Sequence, residues 1–196
     1  MTRDTIRQLA FVTTKDRFDE TVQFWIDAFA AGPFWVMEFS LPGQTFRGRP
    51  TSAASKAALT MQGNTQIEIL CALDDEPSAY SEWIERKGGE IPPGGLFHHF
   101  LIDADDHEGT KQRLIDHGAK HGFAGVMPDG REISYLDGTE VTGSYIEIIT
   151  RKPQGMEIVA AMTRECDEWD GSEPVRDYIE FLTQLTGVRP DYGADG

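Results

Sequence analysis

Two segments of the chain repeat the same alternation of apolar and polar residues. One is Gln66-Ile67-Glu68-Ile69-Leu70 and the other is Tyr145-Ile146-Glu147-Ile148-Ile149. A period of two is typical of a β-strand, because successive side chains point to opposite faces of the sheet. In both segments the isoleucines therefore occupy one face and the glutamate lies on the other. A strand pattern that occurs twice points to a fold built by duplication of one module.

The other elements of the two halves follow a common order. Residues 6–13 and 99–103 have strand patterns, and an amphipathic helix is predicted after each of them, at residues 19–30 and 108–117. Further strands are predicted at residues 34–39, 57–61 and 66–71 and at residues 123–127, 132–137 and 144–150. The order strand, helix, strand, strand, strand thus appears twice, although helix–strand alternation also recurs by chance. We predict an α+β fold in which two tandem βαβββ modules, residues 5–75 and 97–151, form a cupped mixed sheet.

Three segments lie outside these modules. Residues 76–96 are predicted to be a linker with a short helix, residues 152–189 a C-terminal helical extension, and residues 190–196 a disordered tail. The extension has two apolar stripes at helical spacing, and Ser172-Glu173-Pro174 predicts the start of its second helix. Because the polar faces of both helices are acidic, we expect the stripes to pack on the chain's own core or on a second subunit rather than on a membrane or a cofactor.

Composition excludes several classes of function. The net charge of −15 disfavours a nucleic-acid partner, since such binding depends on lysine and arginine displacing counterions from phosphates. The chain contains no apolar run long enough for a membrane span and no signal-peptide pattern at its N-terminus. Two cysteines are too few for a disulfide framework. We expect a cytoplasmic protein without a nucleic-acid or membrane partner, and the tail helices favour a homodimer.

Four polar residues are candidates for one metal ion. Glu68 and Glu147 share the face opposite the isoleucines, and His99 follows a glycine-rich turn at the start of its strand. A pseudo-twofold relation between the modules would place Gln8 and Glu68 opposite His99 and Glu147. One nitrogen and three oxygens suit Zn²⁺, Ni²⁺, Co²⁺, Fe²⁺ or Mn²⁺.

Each of these residues also has an ordinary structural interpretation. A glutamate that alternates with isoleucines is typical of the solvated face of a half-exposed strand, and a pair of histidines after a turn is often structural. His98 is expected to face away from His99 and to serve in packing or solvent contact. The other histidines, His107, His117 and His121, have no recognisable ligand spacing.

The ordered set of these motifs resembles the vicinal oxygen chelate superfamily, the group of glyoxalase I, bleomycin-resistance proteins and extradiol dioxygenases. Within it, the chain looks most like the glyoxalase-type branch that includes methylmalonyl-CoA epimerases. The resemblance covers residues 5–151. It is carried by Gln8-Leu9-Ala10-Phe11-Val12, Gly32-Pro33-Phe34, Gln66-Ile67-Glu68-Ile69-Leu70, Gly95-Leu96-Phe97-His98-His99 and Gly143 to Ile149.

The resemblance implies that four strand residues bind a divalent metal, and the matching positions are Gln8, Glu68, His99 and Glu147. Gln8 stands where the epimerases usually have histidine and agrees with zinc-type glyoxalase I. The arginine and asparagine with which glyoxalase I binds glutathione are replaced by Val12 and Ala72, so glutathione is not expected. Extradiol dioxygenases need two histidines and a carboxylate, and this set has a single histidine, which argues against oxygen activation.

The expected function is therefore that of a metal-dependent isomerase, epimerase or lyase that moves a proton next to a carbonyl or thioester in a small substrate. The metal would stabilise an enolate while Glu147, helped by Glu68, transfers the proton. Residues 41–56 form a long loop rich in Gly, Pro, Thr and Ser, and Arg47 or Arg49 on it is expected to close over an anionic group of the substrate.

Two alternatives remain open. The first is a metal-free binding protein of the same fold, like the antibiotic-sequestering members, with an aromatic-lined cup. Candidate lining residues are Phe34, Trp35, Phe39, Phe97, Tyr135 and Tyr145. The retained carboxylates argue against it, because clustered carboxylates are costly to bury without a cation. The second is a metal-dependent hydrolase or transferase.

Overall fold

The computed structural model describes residues 4–193, which form one mixed β-sheet covered by helices on both faces. The strands are β1 (Thr5–Val12), β2 (Phe34–Phe39), β3 (Thr45–Phe46), β4 (Arg49–Pro50), β5 (Ser55–Gln62), β6 (Thr65–Ala72), β7 (Leu96–Ala104), β8 (Lys120–Val126), β9 (Glu132–Gly138), β10 (Ser144–Thr150) and β11 (Val175–Asp177). The helices are α1 (Phe18–Phe29), α2 (Ala79–Arg86), α3 (His107–Asp116), α4 (Pro153–Asp167) and α5 (Tyr178–Thr186), with a 3₁₀ turn at Lys15–Arg17.

The order of the strands in the sheet reflects the duplication. It runs β11-β2-β5-β6-β1-β7-β10-β9-β8-β3-β4, so the two modules contribute β2-β5-β6-β1 and β7-β10-β9-β8. The modules meet at the antiparallel pair β1–β7, while β1–β6 and β7–β10 are parallel. The predicted α+β fold, with two βαβββ modules in a mixed sheet and helices after them, is confirmed.

Local sequence explains where the helices begin. Ser78 precedes α2 and its side-chain oxygen accepts a hydrogen bond from the backbone N–H of Ser81. Asp106 precedes α3 and accepts in the same way from Gly109 at 2.9 Å. Each cap satisfies one backbone donor that the first turn of a helix leaves unpaired, which stabilises a helix by about 1 kcal/mol.

The two faces of the sheet have different partners. On one face α1 covers the first module, where Phe18 and Val22 pack on a cluster that includes Ile67 and Ile69. Leu114 and Ile115 of α3 cover the second module in the same way, over Ile148. The isoleucines therefore lie beneath the helices, as their alternation predicts, and the glutamates point to the opposite face.

That opposite face, called here the concave face, is covered by α2 and by the C-terminal extension. Ile158 and Met162 of α4 and Phe181 and Leu182 of α5 belong to one buried cluster with concave-face residues of both modules. Met162 is fully buried, and full burial of such a side chain stabilises a fold by about 1.5–3 kcal/mol. The stripes of the extension thus pack on the chain's own core, one of the two expected arrangements.

The extension differs from the prediction in two respects. Residues 175–177 are not helical but form β11, which pairs in parallel with β2. Helix α5 begins only at Tyr178, because the Asp177 carboxylate caps it by accepting from Glu180 N at 2.7 Å. The predicted disorder of residues 190–196 is wrong for residues 190–193, since Tyr192 is buried and its backbone oxygen accepts from Ser40 N. Residues 194–196 lie outside the described residues.

The long loop at residues 41–56 is more ordered than its composition suggests. It contains the short hairpin of β3 and β4, and β3 pairs with β8 of the second module. Within residues 4–193, no helix combines the length and the hydropathy that crossing a membrane requires.

Candidate metal centre

The four predicted metal ligands lie on four adjacent strands of the sheet. Glu68 is on β6, Gln8 on β1, His99 on β7 and Glu147 on β10, and these strands are neighbours in that order. Ala10 of β1 is the register partner of both Glu68 and His99. The side chains of Glu68 and His99 therefore lie on the same face of the sheet, with β1 between them. All four ligand side chains are buried. Residues distant in the sequence are thus brought together by strand pairing.

Three of the side chains meet at one point. His99 Nε2 lies 2.7 Å from Glu147 Oε2 and 3.5 Å from Glu68 Oε2. One ligand atom from each of the three residues lies within 4.8 Å of the others. Gln8 lines the same cavity as the two glutamates.

The atoms at this point have no well-aligned hydrogen-bond partner among the described residues. They are Gln8 Oε1, Glu68 Oε2, His99 Nε2 and Glu147 Oε2, and each is buried. Buried polar atoms are nearly always paired, and an unpaired one costs about 1–3 kcal/mol. Four such atoms on one face, three of them oxygen and one imidazole nitrogen, fit the donor set that binds a borderline or hard divalent cation.

Burial and mutual charge shift the pKa values of these groups. Burial raises the pKa of the Glu68 carboxyl, and the neighbouring Glu147 charge adds to the rise while His99 opposes it. Burial by itself would lower the pKa of His99, but the Glu147 and Glu68 carboxylates outweigh it and raise that pKa to about 9. The metal-free centre therefore holds a proton on His99 at neutral pH, and a cation has to displace it.

His98 faces the same side of the sheet as His99, contrary to the prediction. Ala10 pairs with His99 and Phe11 pairs with Phe97, so His98 has no partner on β1 and forms a β-bulge. A bulge inserts one residue into a strand and interrupts the alternation of its side chains. The predicted packing role of His98 is nevertheless observed, since the side chain is fully buried.

The two imidazoles form a hydrogen-bonded chain. His98 Nδ1 lies 2.8 Å from His99 Nδ1, and His98 Nε2 lies 3.2 Å from the backbone oxygen of Ala79. Burial, together with the charge of His99, holds the pKa of His98 well below its ordinary range, so His98 is neutral. When His98 donates from Nε2 to Ala79, its Nδ1 accepts from His99 Nδ1–H. Once a cation displaces the second proton of His99, the lone pair of Nε2 is available at the metal position.

Aromatic side chains hold His98 in place. The ring of Tyr145 stacks on it at a centroid distance of 4.8 Å and an interplanar angle of 18°. Tyr80, Trp83 and Tyr135 contact it edge-on at 5.3–5.9 Å. Rings packed in this way restrict the orientation of the imidazole, and through it the orientation of His99.

Arg47, which was expected to close over the substrate, binds protein carboxylates instead. Its Nη2 donates to Glu82 Oε1 at 2.5 Å, to Asp137 Oδ2 at 2.8 Å and to Tyr145 Oη at 3.1 Å. These partners raise the pKa of Arg47. Arg49 is exposed in β4. Arg47 therefore ties the β3–β4 hairpin to α2 and β9.

The centre opens into a cavity of about 80 Å³ between the concave face and the extension. Its wall includes aromatic residues from both modules, from α2 and from the C-terminal part of the chain, namely Phe39, Tyr80, Phe123, Tyr135, Tyr178 and Tyr192. Two arginines that were not predicted as site residues, Arg7 and Arg131, also line it. Neither stands in a recognisable motif, so only the three-dimensional structure reveals them.

A further histidine lies near carboxylates outside this centre. His107 Nδ1 is 3.5 Å from Glu108 Oε1 and 3.6 Å from Glu132 Oε2. His107 is buried, while both glutamates are exposed and Glu108 also pairs with Lys111. The sequence spacing of His107 gave no indication of this group.

The stability of the metal-free protein is expected to fall as the pH rises. The pKa of His99 in the folded chain is about 9, above its ordinary value of 6.5, so protonated His99 stabilises the fold. This contribution is fully present below pH 6.5, amounts to about 3 kcal/mol and is lost as the pH approaches about 9. Metal-loaded protein should show the opposite trend, because deprotonation of His99 favours metal binding. Thermal denaturation of the metal-free and the Zn²⁺-loaded protein between pH 6.5 and about 9 measures the two trends. A melting temperature that changes with pH in the same direction in both forms would contradict the prediction.

Comparison with known proteins gives structural relatives only. No protein-family model matches the chain, and no curated protein matches it. A hypothetical protein from Bacillus halodurans C-125 matches with a TM-score of 0.52 at 17% identity, over 77% of this chain and 96% of that one. A mutant of 4-hydroxymandelate synthase from Streptomyces coelicolor matches with a TM-score of 0.51 at 13% identity, over 76% of this chain. The chain has the vicinal oxygen chelate fold.

The resemblance inferred from sequence is thus confirmed as a likeness of fold. The chain spans only 49% of the length of the synthase, and identities this low show the fold alone. Methylmalonyl-CoA epimerase from Mycobacterium tuberculosis also matches, with a TM-score of 0.48 at 13% identity, over 77% of this chain and 90% of that one. Within the vicinal oxygen chelate fold, the use of Gln8, Glu68, His99 and Glu147 as metal ligands stays a prediction.

Proposed function

We propose that the protein is a divalent-metal-dependent isomerase, epimerase or lyase that moves a proton next to a carbonyl or thioester group. The observation that carries this proposal is the group of four buried ligand atoms on Gln8, Glu68, His99 and Glu147, none of which has a well-aligned hydrogen-bond partner among the described residues. A binding protein for apolar molecules has no use for such a group, because burying clustered carboxylates costs solvation free energy that a divalent cation offsets. A cavity beside it leaves room for a substrate.

The same four residues would hold the ion, and the donor set suits Zn²⁺, Ni²⁺, Co²⁺, Fe²⁺ or Mn²⁺. When bound, such an ion acts as a Lewis acid on a carbonyl oxygen and makes the neighbouring C–H bond more acidic. His98 holds His99 in the orientation and tautomer that this requires.

The two glutamates are the catalytic residues in this proposal. Glu147 takes the proton from the carbon next to the carbonyl, as a general base. Glu68, the second carboxyl group of the centre, is the group that returns a proton to that carbon. Glu68 on β6 and Glu147 on β10 are separated by β1 and β7, so a reacting group bound over these two strands would lie between the two carboxyl groups. This arrangement suits transfer of a proton from one face of a planar intermediate to the other.

The size of the cavity favours a small reacting group. Its volume of about 80 Å³ is well below the roughly 300–1,000 Å³ of pockets that enclose drug-sized ligands. A short acyl or keto group fits inside, and the rest of any larger thioester would lie outside the concave face.

Metal content tests the proposal first. We expect close to one divalent ion per chain in the wild type, measured by elemental mass spectrometry, and a loss of most of it in His99→Ala and Glu147→Ala. His121→Ala, which changes an exposed histidine on β8, is the matched control and should keep the metal. A wild type that stays free of metal after incubation with Zn²⁺, Ni²⁺, Co²⁺ and Mn²⁺ would contradict the proposal.

The metal-free binding protein would then be the leading alternative. Among the six aromatic residues expected to line its cup, Phe39 and Tyr135 are the ones that line the cavity in the described part of the chain. Homodimer formation and a cytoplasmic location stay predictions.

A further inference from the structure

A second β-bulge brings an arginine to the cavity. Ile6 pairs with Ile102 and Gln8 pairs with Leu101, so Arg7 has no partner on β7. Without the bulge, the alternation along β1 would place Arg7 and Gln8 on opposite faces. With it, Arg7 lines the same cavity as the candidate metal ligand Gln8.

The Arg7 guanidinium is only partly used by the protein. Its Nε and Nη2 donate to the two carboxylate oxygens of Asp103, at 2.5 and 3.0 Å. Its Nη1 is buried and has no partner among the described residues. Asp103 balances the charge of Arg7, but the N–H groups of Nη1 still lack an acceptor, and a buried unpaired donor is costly.

Arg131 provides a second set of donors from the other module. Its side chain is 9% exposed and its Nε donates to Asp129 Oδ2 at 2.7 Å. Neither Nη group donates to another residue in the described part of the chain. Gly155 of the extension leaves the space that this guanidinium occupies, since a Cβ at that position would lie 2.6 Å from Arg131 Nη1.

The Tyr178 hydroxyl completes the group. Tyr178 is buried at the start of α5 and lines the cavity. Burial raises its pKa to about 12, and the charges of Arg131 and Arg7 act in the opposite direction. Tyr178 is therefore a neutral O–H donor near both arginines. We call Arg7, Arg131 and Tyr178 the arginine pocket.

We propose that the arginine pocket binds a carboxylate of the substrate, in addition to the carbonyl held at the metal centre. A carboxylate supplies two acceptor oxygens in one plane, which matches the N–H groups of guanidinium. The groups of the arginine pocket that are available to a ligand are hydrogen-bond donors, whereas the buried acceptor oxygens without a partner among the described residues lie at the metal centre. The substrate class is thus a small carboxylic acid with a second carbonyl or hydroxyl group. This inference rests on the proposed function.

Binding of malate and lactate to the Zn²⁺-loaded protein tests the pocket. Both acids offer a 2-hydroxy carboxylate to the metal, and malate has one more carboxylate. By isothermal titration calorimetry, we expect malate to bind about tenfold to a hundredfold more tightly, as charge-assisted hydrogen bonds allow.

Two variants remove the preference by different means. The double variant Arg7→Gln with Asp103→Asn removes the guanidinium and leaves no buried charge unpaired. Gly155→Ala keeps every charge and displaces Arg131 Nη1. Both should bind malate no better than lactate, with lactate affinity and zinc content unchanged. Arg113→Gln, which alters an exposed arginine paired with Asp4, is the control and should keep the preference.

Equal affinities for malate and lactate in the wild type, or a preference that survives in both variants, would overturn the inference. If the wild type binds no metal, the proposed function fails but the pocket is still tested. The metal-free protein should then prefer malate over lactate, more weakly, and lose that preference in the two variants. No such preference would overturn the pocket as well.

Discussion

Glu147→Gln is expected to lower the rate of α-proton exchange by about 10²- to 10⁴-fold, which is the contribution of a positioned general base. The amide keeps an oxygen at the ligand position, so most of the metal should remain bound while the basic group is lost. Exchange is measured by proton NMR in deuterated water on a panel of small carbonyl compounds and thioesters, with metal content determined on the same samples.

Two further substitutions serve as a second test and as a control for the Glu147→Gln result. Glu68→Gln should also slow exchange, since Glu68 is the second carboxyl group of the centre and lies 3.5 Å from His99. Glu132→Gln removes an exposed carboxylate from neighbouring β9 and should change nothing. A Glu147→Gln variant that holds its metal and exchanges protons at the wild-type rate would exclude Glu147 as the base.

His98→Phe is expected to weaken metal binding by about tenfold to a hundredfold, although His98 itself does not reach the metal position. Outer-shell partners that fix a ligating histidine have effects of this size. Phenylalanine preserves the stacking on Tyr145 but removes the acceptor for His99 Nδ1–H. Without that acceptor His99 is free to change its tautomer and orientation. Competition with a metal-chelating dye measures the dissociation constant.

His98→Asn separates hydrogen bonding from ring packing in this prediction. Its side-chain oxygen can take the place of His98 Nδ1 as acceptor, so it should recover part of the affinity that phenylalanine loses. Equal affinities in wild type and His98→Phe would show that His98 serves only in packing. Thermal denaturation of the metal-free variants shows whether the core tolerates each change.

The parts of the fold that depend on local periodicity were predictable. Glu68 and Glu147 alternate with isoleucines that lie beneath α1 and α3, so the face of each glutamate follows from a period of two. The four candidate ligands were found for the same reason, since each lies on a strand whose pattern was recognised. Their convergence also required the pairing of β1 with β7, which the duplication suggested.

The missed features depend on partners that are distant in the sequence. The bulges at Arg7 and His98 exist because one strand of the β1–β7 pair has an extra residue opposite the other strand. The sequence of either strand alone does not show where the extra residue lies. The strand at residues 175–177 exists because β2 offers a free edge to it. Tyr192 is buried because Ser40 and the cavity lie beside it. From sequence alone, residues 175–177 were predicted to be helical and Tyr192 to lie in a disordered tail.

The strands at the two ends of the sheet bear on how separate molecules interact. One end is β11, with three residues, and the other is β4, which consists of Arg49–Pro50. A long unpaired edge is a template for pairing with another chain, whereas short strands and proline make poor templates. By pairing with β2, β11 occupies the edge of an aromatic strand with the sequence Phe34-Trp35-Val36-Met37-Glu38-Phe39. The extension that closes the cavity thereby also protects the sheet against edge-to-edge aggregation.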